Sequence, residues 1–524
     1  MPVACSFFAA KGILHYFQLE SYQFPGYFRT LKRNRKHAWL PGVLVAASSL
    51  VLFYGFDFFV LREMPQWAAI TYLVLLLPLA ADVGHYISKF FSEKQAKKKF
   101  VITGRVKRLY VVFFAVMCGL SYGLSAASMA ILPALWPLLL PLVIALSGLL
   151  AWPWEKIISE FYFRDARRKL LSNPGLIRIG LTGSYGKTSV KHILGTILSE
   201  KYTTFITPAS FNTPMGVSKA IREGLTPSYQ VFVGEMGARH VGDIREMCRL
   251  VKPVIGIISS VGPQHLDTFK TIERVAQGKY ELIQALPEES QSYFFHDDSI
   301  CTAMFERTTT PKTLASKEPG IGNVWCEDVS VSSTGSDFML HIQGKGSIAC
   351  HTALLGEHNI QNIVLAAAVA DGLHLTLKQI ARGIGKLQPV KSRLELIPST
   401  QNFTIINDGF NSNPVGAKAA LKVLAAFPKR RIVITPGMVE LGDREEEFNR
   451  ELGETIAQNA DIAIIIGQKR AIPIIDGLKS GGFSPEQIYQ VSSFDESTAV
   501  LRSFVKPTDT VLYENDLPEN YQEA

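Results

Sequence analysis

Few stretches limit what a chain can become as tightly as Gly180-Leu181-Thr182-Gly183-Ser184-Tyr185-Gly186-Lys187-Thr188-Ser189. It follows Leu176-Ile177-Arg178-Ile179, an alternating apolar run that reads as a strand. It precedes Val190 to Leu198, whose apolar residues recur at helical spacing. Strand, glycine loop, Gly-Lys-Thr and helix is the order a phosphate cradle requires. Glycines let backbone N–H groups close on the phosphates, and the helix N-terminus favours negative charge. In that frame Thr182, Gly183, Ser184, Tyr185 and Gly186 wrap the phosphates and Ser189 opens the helix. Lys187 reaches the β/γ-phosphates and the Thr188 hydroxyl offers itself to Mg²⁺. The first glycine of the general G-x-x-x-x-G-K-[ST] pattern falls on Leu181, so the loop is a narrower variant. These residues point to ATP.

The next segments keep the pattern. Tyr202 to Thr207 and Tyr229 to Gly234 read as strands, the second ending on Glu235; a third, Val254 to Ser260, leads to His265. Strands alternating with helices imply a parallel sheet, and open α/β sheets bind ligands at the carboxyl ends of their strands. Glu235 is placed there to hold a phosphate-bridging metal, with the His265 imidazole nearby. By itself Lys279 reads as an exposed helix lysine.

Taken together, Thr182-Gly183-x-x-Gly186-Lys187-Thr188, Asn212-Thr213-Pro214, Glu235-Met236-Gly237-Ala238 and His265-Leu266 with Phe269 resemble the Mur ligase family. The resemblance continues through Val275-Ala276-x-x-Lys279-x-Glu281-Leu282, Gly356-Glu357-His358-Asn359-Ile360-x-Asn362 and Ser392-Arg393-Leu394. It ends in Asn407-Asp408-Gly409-Phe410-Asn411-x-Asn413-Pro414 and Glu440-Leu441-Gly442. Within the family the spacing is nearest to the branch that adds a dipeptide. The resemblance implies an ATP-dependent acid–amino-acid ligase that forms an acyl phosphate and then an amide, in assembly of cell-envelope (peptidoglycan) precursors. It implies two Mg²⁺ ions, one on Thr188 and Glu235 and one helped by His265. Lys279 would be carbamylated by CO₂ and support the second ion. His358, Asn359, Asn362, Arg393 and Asp408 would approach the nucleotide, and Asn212, Thr213 and Asn411 the substrates.

Ahead of this lies a different kind of chain. Four apolar runs, Pro41 to Leu61, Gln66 to Ile87, Leu109 to Leu132 and Ala134 to Trp152, each reach the roughly 20 residues that cross a bilayer. Residues 1–108 hold 15 Lys and Arg against 5 Asp and Glu, an excess of ten where the whole chain has eight. That basic excess argues for a membrane surface and against nucleic acid. The charges flank the runs so that the positive-inside rule places both termini and the ATP-binding part in the cytoplasm, as a multi-pass protein of the inner (cell) membrane. Residues 7–31, rich in aromatics, read as an interfacial segment or, alternatively, as an aromatic-rich soluble cap. Six cysteines without C-x-x-C spacing exclude a disulfide or zinc framework as the default.

The expected plan is therefore α/β: an interfacial segment (1–40), four transmembrane helices (41–152), a linker (153–174), a P-loop central domain of the Mur ligase type (175–393) and a C-terminal Rossmann-like α/β domain (394–524). The last domain alternates strands and helices without G-x-G-x-x-G. Three departures from the family stand out. Membrane spans occupy the place of its N-terminal UDP-binding domain, so the carboxylate acceptor is expected lipid-linked or presented at the bilayer. Asn407 and Phe410 replace the usual Asp and Tyr. Tyr513-Glu514-Asn515-Asp516 replaces a Lys-Gly-Ser segment that helps hold the incoming dipeptide, so the amine, an amino acid or dipeptide, is open. Asn515 and Asp516 are read either as ammonium ligands or as a polar cap. The alternatives are a polyglutamate-type or other polymer ligase and, in other classes, a nucleotide-binding membrane scaffold or an ATP-driven transporter.

Overall fold

The computed structural model describes residues 2–59, 79–89, 100–126, 132–296, 299–398, 402–410 and 412–517. The chain divides into two compact units, with the division at residues 160 and 161, inside the helix Leu140–Leu171.

The first unit is helical. Its described helices include Arg35–Phe59, a helical stretch over 79–89, Gly104–Ala126 and Leu140–Leu171. Among the described residues, two helices are long and apolar enough to cross a membrane, Gly104–Ala126 and the continuous run Trp136–Leu171. That is half of the four expected. The first expected run lies on the helix Arg35–Phe59, and most of the second falls outside the described residues. The stretch expected as a linker, 153–174, is helical as far as Leu171. The N-terminal helices pack within this unit. Ile13, Leu14, Phe17 and Tyr27 are buried against Phe113, Met117 and Leu140, so their aromatic face is packed into this unit. Alternation of apolar and polar residues is the same for a helix on a lipid surface and one on a protein surface, which is why the sequence did not separate them.

The second unit holds two sheets. The larger runs β2-β3-β1-β4-β5-β6-β7-β8-β9, with β1 Ile177–Thr182, β2 Thr204–Ile206, β3 Val231–Glu235, β4 Ile255–Ile258, β5 Gln291–His296 and β6 Lys312–Ser316 all parallel. Then β7 Val324–Ser332, β8 Gly335–Ile342 and β9 Gly346–Thr352 turn antiparallel, in the strand-rich stretch the alternation suggested. Residues such as Ile179, Leu181, Val231, Val233 and Ile257 are buried, as strands covered on both faces must be. The smaller sheet runs β10-β11-β15-β12-β13-β14, comprising β10 Glu395–Pro398, β11 Thr404–Asp408, β12 Arg431–Thr435, β13 Ile462–Ile466, β14 Ile488–Val491 and β15 Thr510–Glu514. All its pairings are parallel except β10 with β11.

Two helices of the smaller sheet's domain, Glu445–Asn459 and Ala471–Ser480, cross where only glycine fits. A Cβ on Gly453 would run into the Ile474 carbonyl, and one on Gly477 into the Arg450 carbonyl. Backbone cannot yield as a side-chain tip can. Gly477→Val should therefore destabilise this domain by about 1–3 kcal/mol or more, read as a lower melting temperature. A variant as stable as the parent would show that the helices slide apart at no cost.

Candidate active site

Parallel register brings the chemistry to one edge. Leu181 pairs with Glu235 and Thr182 with Ile258, so the P-loop, Glu235 and the loop bearing His265 all leave the sheet on the same side. The loop is braced from the strand beside it. Ser184 N donates to the Ser260 carbonyl at 2.8 Å, Tyr185 N to Ser260 Oγ at 2.9 Å, and Tyr185 OH to the Pro263 carbonyl at 2.9 Å. Gly186 sits at φ +76°, and a Cβ there would lie 2.5 Å from Asn362 Oδ1. The loop needs that glycine both for its backbone and because Asn362, one of the expected nucleotide residues, stands directly over it. Lys187 Nζ donates to the carbonyls of Gly183 (2.6 Å) and Ser184 (3.0 Å), and burial pushes its ammonium down to about 8.

Glu235 is 1% exposed and is the meeting point of the site. Thr188 Oγ1 donates to its two oxygens at 3.2 and 3.1 Å, Asn212 Nδ2 donates at 3.2 Å, and Lys191 Nζ forms an ion pair at 3.0 Å. Burial alone would raise this carboxyl, but Lys191 and Lys187 hold it below the ordinary carboxylate range. Thr188 and Glu235, expected on the same ion, are thus side by side. Mg²⁺ commonly takes one or two protein oxygens and fills its shell with waters and phosphates, so the pair fits. Lys191 was missed in the sequence. It lies within the buried face formed by Thr188, Leu194 and Leu198, where a lysine is out of place, and that mismatch was the available signal.

Lys279 is the clearest correction. It is 1% exposed on the helix Ile272–Gln284, not a solvated surface lysine, and burial holds its ammonium well below the ordinary lysine range, with the Lys187 charge acting the same way. Among the described residues no hydrogen bond or ion pair engages its amine. His265 is near enough to feel the Lys279 charge, and burial lowers its imidazole as well. Its Nδ1 lies 2.6 Å from Glu440 Oε2, and Glu440 Oε1 accepts from Arg239 Nη2 at 3.1 Å. Among the described residues no cluster of three or more His, Cys, Asp and Glu is spaced to hold a metal.

A cavity of about 580 Å³ adjoins the P-loop helix, lined among others by Thr188, His192, Asn359, Pro389, Arg393 and Phe410. Arg393 lies 4.3 Å over the Phe410 ring, and the hinge around it uses left-handed backbone at Ser392 (φ +58°) and Leu394 (φ +47°). Asp408 is pushed up to about 6, chiefly by burial; it accepts from Leu394 N at 3.2 Å, and Glu514, fully buried beside it, is raised well above the carboxylate range. Asn515 is engaged as a cap would be. Its Nδ2 donates to the Gly437 carbonyl at 2.5 Å, and its Oδ1 accepts from Ser412 N at 3.1 Å and Asp516 N at 2.8 Å. Thr213 likewise serves as an N-cap, accepting from Gly216 N at 3.3 Å. Asn411 lies outside the described residues.

His358 makes a separate prediction. Burial, and less strongly Arg393, lower its imidazole from 6.5 to about 4, and its Nδ1 is buried without a partner among the described residues. A base depressed in the folded state contributes stability that is complete above pH 6.5 and lost as pH falls through 4. The difference corresponds to ~3 kcal/mol. Melting temperature should fall over that window in the parent and fall less in His358→Gln; parallel curves would mean that His358 is solvated.

Comparisons with known proteins agree with this geometry. Two family profiles match: Mur ligase middle domain over residues 181–370, and Mur ligase, glutamate ligase domain over 392–513. The UDP-N-acetylmuramoyl-tripeptide–D-alanyl-D-alanine ligase of Escherichia coli (strain K12) is 31% identical over 304 residues, covering 57% of this chain and 67% of that relative. About a third of the relative's length is therefore outside the match. MurF from Acinetobacter baumannii superposes with a TM-score of 0.62 at 26% identity, over 70% of this chain and 79% of that one. The MurF ligase of Thermotoga maritima in complex with ADP gives 0.62 at 25%, over 70% and 82%. These are of the dipeptide-adding branch that the spacing favoured.

Proposed function

The chain belongs to the Mur ligase family, and from that premise we propose that it is an ATP-dependent amide ligase of peptidoglycan-precursor assembly, anchored in the inner membrane with its catalytic sheets in the cytoplasm. The observation that carries the catalytic part is the convergence of Lys187, Thr188, Glu235, His265 and Lys279 at one sheet edge, each held by hydrogen bonds or by burial.

The P-loop backbone and Lys187 bind the polyphosphate, and the cavity between the P-loop helix and Arg393 takes the rest of the nucleotide. Thr188 and Glu235 would hold one Mg²⁺, with His265 and Lys279 serving a second; the ions supply charge neutralisation at the phosphoryl group in flight. The encoded side chains around His265 are short of an oxygen ligand, and a carbamate on Lys279 would add one. Its formation needs the neutral amine: nitrogen attacks CO₂, a C–N bond forms and one proton leaves. Burial of Lys279 favours that neutral form. The acceptor's carboxylate then displaces ADP from the γ-phosphorus, giving an acyl phosphate. The neutral amine attacks the acyl carbon, the C–O bond to phosphate breaks, the nitrogen gives up one proton to the departing phosphate or to solvent, and an amide and inorganic phosphate remain. Closure of the smaller sheet's domain about Ser392 to Leu394 would keep water from the acyl phosphate.

The relatives' names specify a UDP-N-acetylmuramoyl tripeptide and D-alanyl-D-alanine. For this chain we take the acceptor to be a peptidoglycan stem peptide, lipid-linked or presented at the bilayer, and the amine an amino acid or dipeptide. Support for the membrane part is the pair of apolar helices and the basic excess before residue 109. Incubation of the full chain with ATP, Mg²⁺, bicarbonate, UDP-N-acetylmuramoyl tripeptide and D-alanyl-D-alanine should release ADP and phosphate only when acceptor and amine are both present. Hydrolysis that ignores the amine would overturn the ligase reading. Lys279→Ala should abolish turnover while leaving ATP bound, with partial recovery in short carboxylic acids, whereas Lys187→Ala should weaken nucleotide binding itself.

A further inference from the structure

Glu440 has no part in the chemistry above; the sequence marks Glu440-Leu441-Gly442 only as a segment of the resemblance and gives this carboxylate no role. It follows β12 in the smaller sheet's domain, 175 positions from His265, and is 6% exposed. A carboxylate so buried is costly unless both oxygens find donors. Both donors come from the larger sheet. His265 Nδ1 meets Oε2 at 2.6 Å and Arg239 Nη2 meets Oε1 at 3.1 Å, and these two residues follow β4 and β3 respectively.

The backbone on each side is bent to make the contact. Glu440 adopts φ +66° and His265 φ +52°, left-handed conformations that cost a non-glycine residue about 1–2 kcal/mol each. Such strain persists only where the surroundings fix it, and it gathers at functional sites. Gly442, at φ +63°, completes the fit: a Cβ there would lie 3.4 Å from the Leu266 carbonyl carbon, so the loop rests against the turn that carries His265.

The chemistry of the pair is directional. A carboxylate accepts and an imidazole nitrogen donates to it only when protonated, so the partner assigns the proton of neutral His265 to Nδ1. Nε2 is then left with a lone pair. An imidazole fixed through one nitrogen by a carboxylate, with the other free, is how proteins orient histidines toward divalent metals. Arg239 occupies the second oxygen of Glu440, so this carboxylate orients the ring and does not itself ligate.

We propose that Glu440 is a positioning residue for His265, contributed by the smaller sheet's domain, so that the second divalent-cation site of the larger sheet is complete only when the two domains are closed on each other. Nucleotide-bound metal and closure then favour each other, because each completes what the other needs. The inference rests on the ligase reading, and it explains why this loop is held in left-handed backbone.

The test counts ions rather than turnover. The full chain is titrated with Mn²⁺ in the presence of a non-hydrolysable ATP analogue, and bound metal is read by electron paramagnetic resonance. The parent should take two ions. Glu440→Ala should weaken the second by 10–100-fold and leave the analogue and the Thr188–Glu235 ion unchanged. His265→Ala should remove the same ion. Glu440→Gln still accepts from Nδ1–H and should recover most of the affinity, which a role confined to stability would not require. Two ions at parental affinity in Glu440→Ala overturn the proposal, as does a parent that takes only one. Joint loss of analogue and both ions in Glu440→Ala, unrescued by Gln, overturns it as well, since the residue would then be structural. A parent that binds no analogue is a different result: it overturns the ligase reading, and this inference with it.

Discussion

A single buried carboxylate fixes the geometry of the catalytic edge. Glu235 ends β3, yet the groups that touch it come from two other segments: Thr188 and Lys191 from the P-loop helix, Asn212 from the loop after β2. Lys191 is wholly buried and Glu235 nearly so. Such a pair gains little net stability, because desolvating two charges offsets their attraction; removing one partner costs about 3–5 kcal/mol by stranding the other. An apolar pair would hold β3 and the helix together as well. The charges are better explained by what they prepare, a carboxylate fixed beside the Thr188 hydroxyl and kept ionised by two lysines.

Part of the chain's left-handed backbone lies around the same site, while other instances, such as Lys252, Asp328 and His374, lie elsewhere. Left-handed non-glycine residues occur at His265 and Lys270 on the larger sheet's loops, at Ser392 and Leu394 in the hinge, and at Glu440 and Asn515 in the smaller sheet's domain. Four of these are held by identifiable side-chain contacts: Glu440 with His265, Ser392 with Asn407 Nδ2 at 3.2 Å, Asn515 with Gly437 and Ser412. The P-loop is held by hydrogen bonds from the adjacent strand's loop instead, and Gly186 relieves it of strain. The two domains thus meet the nucleotide site differently, one through a braced glycine loop and the other through loops bent to reach across.

What could be read from the sequence divides along the range of the interactions. The P-loop, Glu235 at a strand end and the alternation of both sheets are local patterns, and the structure follows them. Lys279 was misread as exposed because burial of a lysine depends on what packs over it, here residues distant in the chain. Glu440 could not be paired with His265 by any periodicity, since the contact spans two domains. Asn515 kept two readings open because an amide suits both a cap and a ligand; its three hydrogen bonds are those of a cap, and Gly437 and Ser412 are residues no local pattern pairs with it. In the helical unit, composition marked the apolar runs, but a buried aromatic face and a lipid-facing one have the same spacing.

The charges around the site explain why it is suited to a polyanion. Lys187, Lys279 and Arg393 are each lowered first by burial, and Lys187 and Lys279 also by a neighbouring positive group. Facing them, Glu235 is already committed to Lys191 and Thr188, and Glu440 to His265 and Arg239. Asp408 and Glu514 are raised by burial, and Glu514 further by its neighbour Asp408, so they favour sharing a proton over doubling their charge. Cationic groups here are therefore under-compensated by the protein's own carboxylates. Positive groups fixed in a poorly solvated cleft need no reorganisation when negative charge arrives. A triphosphate would relieve the repulsion between them and raise Lys187 back toward the ordinary lysine range, so that binding the polyanion and securing the charge of the P-loop lysine are one event.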